Sequence, residues 1–141
     1  MTSVNRYLPP NTLNNLLQVL VKSESILSIG MSVNRLPIYG VKLGHGPLKV
    51  LMWSQMHGNE STTTRAILDI LNEFKTGKAS IILDQLTLFI IPQLNPDGAK
   101  AYTRYNANNI DLNRDAVNLT QPESFALKEV FDEFKPHFCF N

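Results

Sequence analysis

The chain has 141 residues, 43% of them hydrophobic, enough for one globular domain over residues 1–141 and short for two. Thirteen Lys and Arg against twelve Asp and Glu give a formal charge of +1, so no electrostatic footprint for nucleic acid or an anionic membrane surface is expected. No apolar run approaches the roughly 18 residues of a spanning helix, the first residues lack a leader-like pattern, and Cys139 has no second cysteine to pair with, so the expected compartment is the cytoplasm.

Leu13, Leu16, Leu17 and Leu20 follow the i, i+3, i+4, i+7 spacing of one helical face, after a cap at Asn11 or Thr12. "PIYGVKL" from Pro37, "LKVLMW" from Leu48 and "LTLFII" from Leu86 read as strands, the last two continuous enough to be covered on both faces. Between them Ile67, Ile70, Leu71 and Phe74 mark a second helix. Leu127, Val130, Phe131 and Phe134 mark another, opening on Thr120-x-x-Glu123 as a capping box with Pro122 in the first turn, and "HFCFN" ends the chain as a strand. Glu123, Glu129, Asp132 and Glu133 are expected on its solvated face. The order implies an α/β fold, a three-layer sandwich with a mixed, partly parallel sheet.

Ligands of such sheets bind beyond the carboxyl ends of the strands. Two polar segments fall there: "QMHGNES", residues 55–61, after one strand, and "QLNPDG", residues 93–98, after another. In the first, His57 and Glu60 stand three apart, and imidazole nitrogen with carboxylate oxygen is an ordinary pairing for zinc. A plainer role is also open, with Glu60 favouring the positive end of the following helix and His57 a solvated loop residue. After "NPDG" the chain runs through "AKAYTRYNANNIDLNRDA" with few apolar anchors, which suggests a long ordered loop over residues 95–116, and such loops are often functional.

Taken in order, "MHGNE", "NPDG" and "TRYNANNIDLNRD" resemble the zinc carboxypeptidases, the carboxypeptidase A-like metallopeptidases. The resemblance covers about residues 26–141. It implies a site of defined composition: His57 and Glu60 as the first two zinc ligands, Arg104 as the arginine that polarises the scissile carbonyl, Asn113 and Arg114 as the pair that holds the substrate's terminal carboxylate, and Asp111 as the acceptor for the first zinc-binding histidine. It implies Zn2+ as cofactor and a peptide or small amide with a free carboxylate as substrate. Each role is chemically sound. A metal-bound histidine needs an acceptor for its other N–H, arginine's planar fork suits a carboxylate, and a cation beside a developing oxyanion stabilises it.

The family also uses a third ligand, a histidine after a later strand, and further on a glutamate base, and neither is evident here. His137 starts its strand rather than following it; at about 3.3 Å per residue the two ends of a five- or six-residue strand lie roughly 17–20 Å apart, so it should face away from His57. His45 reads as a turn residue, Asp97 and Asp115 as turn and loop residues. The expectation is therefore an N-terminal portion of a longer, here incomplete, catalytic domain, with the third ligand beyond residue 141 and apolar surface left open around "HFCFN", which invites aggregation. Asn109 stands where the family often has glycine, and Asn tolerates a left-handed backbone. Deacylation of N-acyl amino acids, a cell-wall peptide amidase and a non-catalytic zinc- or peptide-terminus-binding fragment remain as alternatives.

Overall fold

A computed structural model describes residues 7–141; the reading of the first six residues lies outside the described part. The elements run α1 (Pro10–Leu20), β1 (Ile26–Met31), β2 (Pro37–Gly44), β3 (Leu48–Trp53), α2 (Thr62–Lys75), α3 (Ser80–Gln85), β4 (Leu86–Ile91), α4 (Pro96–Ala101), α5 (Leu112–Asp115), α6 (Pro122–Phe134) and β5 (Phe138–Phe140). The strands form one mixed sheet in the order β1-β2-β4-β3-β5. β1 and β2 pair antiparallel, as do β2 and β4, whereas β3 is parallel to both β4 and β5.

The central strand β4 is buried on both faces, which explains its continuous apolar run. Along β4 successive side chains alternate between two cores. Leu88 and Ile90 join Leu13 and Leu17 of α1 and Ile67 and Leu71 of α2; Phe89 and Ile91 join Ala126, Val130 and Phe134 of α6. Val50 and Leu51 of β3 divide in the same way. The result is the expected three-layer α/β sandwich. Among the described residues no helix is long and apolar enough to cross a membrane.

Several local expectations are corrected. α1 begins at Pro10, whose fixed φ suits a first helical position, and neither Asn11 nor Thr12 caps it. β1 was not read from the sequence as a strand in its own right. The segment 95–116 contains the two short helices α4 and α5 rather than loop alone. No capping box opens α6: Gln121 is the N-cap without a side-chain bond, and Thr120 turns its hydroxyl and amide to Asp115. Glu123 is not solvated but fully buried, and Phe131 is half exposed while Ala126 takes the inward position. Asn109 does adopt the left-handed backbone, at φ 60°.

The carboxylate that fixes the approach to α6 is Asp115 rather than Glu123. Buried at the end of α5, its Oδ1 accepts from the Thr120 amide at 2.9 Å and from the Thr120 hydroxyl, and its Oδ2 accepts from the Gln121 amide at 2.9 Å. Burial pushes this carboxyl up, but the bonds from Thr120 and Gln121 outweigh it and hold the group below the ordinary carboxylate range. A depressed value contributes stability that is fully present above the unfolded value of 3.8 and is lost as pH falls through the folded one. Asp115→Ala is expected to cost about 2–4 kcal/mol in denaturant unfolding, since buried donors lose their acceptor, and to make stability less sensitive to acid. An unchanged acid limb would contradict this assignment.

Candidate active site

The parallel register sets Trp53 of β3 opposite Ile91 of β4, so the two strands end at one level. The ladder then continues into the loops. The Ser54 amide donates to the Ile91 carbonyl at 3.0 Å, the Leu94 amide to the Ser54 carbonyl at 3.0 Å, and the Asn95 amide to the Gln55 carbonyl at 3.1 Å. Gln55 takes a left-handed backbone, φ 51°, which turns the chain out of the strand. Its buried side chain locks that turn: Nε2 donates to the Gly58 carbonyl at 2.6 Å, while Oε1 accepts from the Thr64 hydroxyl at 2.8 Å and from Gln93 Nε2 at 2.9 Å.

Asn95 joins the second loop to the first. Its Oδ1 caps α4 by accepting from the Gly98 amide at 2.8 Å, and its Nδ2 donates to the Met56 carbonyl at 3.2 Å. The two loops touch backbone to backbone, because a Cβ on Gly58 would lie 1.9 Å from the Gly98 carbonyl carbon. Met56 and Leu112, the neighbours of His57 and Asp111, are buried in the α6-side core. Apolar anchors thus hold the polar residues beside them.

His57 lies between two carboxylates. Its Nδ1 is 3.2 Å from Glu60 Oε1, and its Nε2 is 3.0 Å from Asp111 Oδ1. Asp111 also accepts from the Asn113 amide at 3.0 Å, as N-cap of α5, and Oδ2 accepts from Arg104 Nε at 3.1 Å, with Nη2 also 3.1 Å away. Arg104 Nη1 lies 3.7 Å from Glu60 Oε1 and closes the ring of four side chains. Burial pushes the Asp111 carboxyl up, but the bonds from His57, Asn113 and Arg104 prevail and keep it below its ordinary value. An ionised Asp111 accepts from Nε2–H, which leaves Nδ1 as the ring nitrogen facing Glu60.

That arrangement fits zinc as far as it goes: one neutral imidazole nitrogen and one carboxylate oxygen converge, with the other ring nitrogen fixed by an acceptor. Among the described residues no group of three or more His, Cys, Asp or Glu side chains is placed to hold a metal. Asn113 and Arg114 are tied to the same cap through their backbone, Arg114 donating its amide to the Asp111 carbonyl at 2.9 Å, and both side chains are exposed. Asn113 borders a hollow of about 330 Å³ walled by Trp53, Met56, Leu112 and Phe131. His137 lies at the far end of the sheet, its amide donating to the Lys49 carbonyl at 2.8 Å and its Nδ1 accepting from the Lys49 amide at 3.0 Å. His45 is on the surface beside Asp84.

A family model described as zinc carboxypeptidase matches residues 13–137. The chain belongs to the zinc carboxypeptidase family. Similar relatives include probable carboxypeptidase 2 of Arthroderma benhamiae, 34% identical over 95 residues that make up 64% of this chain and 18% of the relative. Carboxypeptidase SOL1 of Arabidopsis thaliana is 32% identical over 127 residues, 75% of this chain and 26% of the relative. Among solved structures, the metallo-carboxypeptidase from Burkholderia cenocepacia superposes with a TM-score of 0.83 at 20% identity, over 92% of this chain and 39% of that one, and so shares the fold. The chain therefore spans about a fifth to a quarter of these curated relatives and two fifths of that solved chain. For a zinc carboxypeptidase the implied cofactor is Zn2+.

Gln55, Gln93, Asn95 and Asn106 were not singled out from the sequence, since buried amides of this kind leave only isolated polar letters between apolar runs. The glycine in each motif was the available signal for the close approach of the two loops. Gly58→Ala should therefore move the His57 loop off α4 and cost about 1–3 kcal/mol, the usual range for overpacking, measured by denaturant unfolding; unchanged stability would show that the loops part readily.

Proposed function

We propose that this chain carries the first two zinc ligands and the substrate-carboxylate anchor of a metallocarboxypeptidase, which hydrolyses the C-terminal amide bond of a peptide. The supporting observation is the placement of His57, whose two ring nitrogens face Glu60 and Asp111 at 3.2 and 3.0 Å. In this reading His57 and Glu60 hold zinc, with a third ligand and the general base supplied by residues following 141. Zinc, when bound, supplies Lewis acidity and a water of lowered pKa.

The chain's own residues do the rest of the work assigned to it. Asp111 keeps the Nε2 proton and so leaves Nδ1 as the donor atom. Its second oxygen orients Arg104, whose remaining guanidinium edge is turned toward Glu60, where negative charge would develop on the scissile carbonyl oxygen. Arg114 is exposed, and no ion pair engages it among the described residues, so its planar fork is available to a terminal carboxylate, with Asn113 beside it. The hollow next to Asn113 is strongly apolar and suits an uncharged side chain near that carboxylate.

In the full-length protein, hydrolysis of peptides with a free C-terminus should stop on chelation and return with zinc; turnover that survives chelation overturns the reading. Asp111→Asn should weaken zinc binding about 10–100-fold, measured by calorimetry, because the histidine loses its orienting acceptor. Arg104→Ala should lower kcat about 10²–10³-fold, whereas Arg114→Ala should act chiefly on KM. A peptide with an amidated C-terminus should be a poor substrate, and equal turnover of acid and amide would remove the carboxylate anchor from the proposal.

A further inference from the structure

Besides Asp115, two buried carboxyls lie outside the ring around His57 among the described residues. Glu123, in the first turn of α6, is fully buried, and Asp97, in the first turn of α4, is only 5% exposed. Successive amides of the β1–β2 turn grip them: Val33 donates to Glu123 Oε1 at 3.2 Å and Asn34 to Asp97 Oδ2 at 3.0 Å. Glu123 Oε2 accepts from Asn106 Nδ2 at 3.2 Å. Asp97 Oδ1 is buried without a hydrogen-bond partner among the described residues. No ion pair joins either carboxyl to a cation there, and Lys100, which borders the same outer hollow as Asp97, is not paired with it.

Keeping two anions on adjacent amides, out of water and without a cation, is costly. One proton would resolve two defects at no loss of bonding. It removes a charge, gives Asp97 Oδ1 a donor, and leaves both acceptor bonds of Glu123 in place. We propose that Asp97 and Glu123 share a single proton, and that the pair positions the loop carrying Arg104 and Asp111. The link to that loop is Asn106: its Nδ2 reaches Glu123, while its Oδ1 accepts from the amides of Asn108 at 3.1 Å and Ile110 at 3.0 Å. Burial pushes the Glu123 carboxyl up, bonds from its own backbone, Val33 and Asn106 oppose this, and the charge of Asp97 adds to it. The groups bonded to the pair, the Val33 and Asn34 amides and the Asn106 side chain, do not titrate, and the cation near it is Lys100 beside Asp97. The shared proton stands independently of zinc; the importance of what it positions rests on the proposed function.

A carboxyl with a raised folded value contributes stability that is present below the unfolded value of 4.5 and is lost as pH rises through the folded one. Infrared spectra of the protein at neutral pH should show the C=O stretch of one protonated carboxyl against the otherwise ionised background. Isotope labelling of the glutamate carboxyls should shift that band in the wild type, so the result does not depend on a variant folding. Asp97→Asn replaces the proton with an amide donor: the band should vanish, stability should persist at alkaline pH, and hydrogen-exchange protection of Asn108 and Ile110 should no longer vary with pH. In the wild type that protection should fall about tenfold per unit of coupling as the proton is lost. Glu123→Gln should also lose the band but be less stable, since its amide meets a donor on Asn106. Absence of the band from the wild type, or its persistence in both variants, overturns the shared proton. A pH-independent protection of Ile110 in the wild type overturns its positioning role. Neither outcome touches zinc binding or hydrolysis, so failure here is distinct from failure of the carboxypeptidase reading.

Discussion

The parallel pairing of β3 with β4 is the constraint on which the rest of the structure depends. Antiparallel neighbours could be joined by a short turn, but parallel ones need a crossover, and α2 and α3 supply it on the α1 side of the sheet. Because Trp53 and Ile91 are register partners, the chain leaves both strands at the same height and on the same edge. Three further backbone bonds between residues 54–55 and 91–95 prolong the pairing past the strands themselves. The loops bearing His57 and Asn95 are therefore extensions of the sheet ladder rather than independent excursions, and their geometry inherits the sheet's rigidity.

Polar chemistry at the end of this ladder is graded by depth. The Gln55, Gln93 and Asn95 amides are buried with their partners in place, as low-dielectric surroundings demand. Asp111 occupies the next level out and is shared among His57, Arg104 and the Asn113 amide. Glu60, Asn113 and Arg114 are exposed. The amides that lock the two loops are thus enclosed, and Glu60, Asn113 and Arg114 are open to solvent. A carboxylate with three donors is oriented more firmly than one with a single donor, so Asp111 can set the histidine tautomer and the arginine pose together.

Much of this was legible in the sequence because the signals are periodic or local. Leu13, Leu17, Ile67, Leu71, Val130 and Phe134 repeat at helical spacing and are buried as that spacing implies. Four of the five strands coincide with the apolar runs from which they were read. β1 escaped because Ser28 and Gly30 interrupt its apolar pattern, and a register irregularity lies between them. α4 and α5 escaped because six and four residues are too few to display a helical period. The misreading of Glu123 has a different origin. Thr120-x-x-Glu123 is a valid local pattern, but the Glu123 carboxyl is claimed by donors on Val33 and Asn106 and the Thr120 hydroxyl by the Asp115 carboxylate as acceptor, and the pattern carries no information about these partners. In the site, the His57 and Glu60 spacing was visible as such, whereas the adjacency of Asp111 required a family resemblance, since 54 residues separate it from His57.

That separation has a consequence during synthesis. At about 5–20 residues per second, Asp111 is added roughly 3–10 s after His57. Over this interval the imidazole lacks the Asp111 carboxylate that holds its Nε2 side, and for the first part of it β3 has no parallel neighbour, because β4 is complete only at Ile91. Orientation of the histidine is consequently an outcome of long-range assembly: the nascent chain holds both candidate metal-binding side chains well before it holds the means of aiming them.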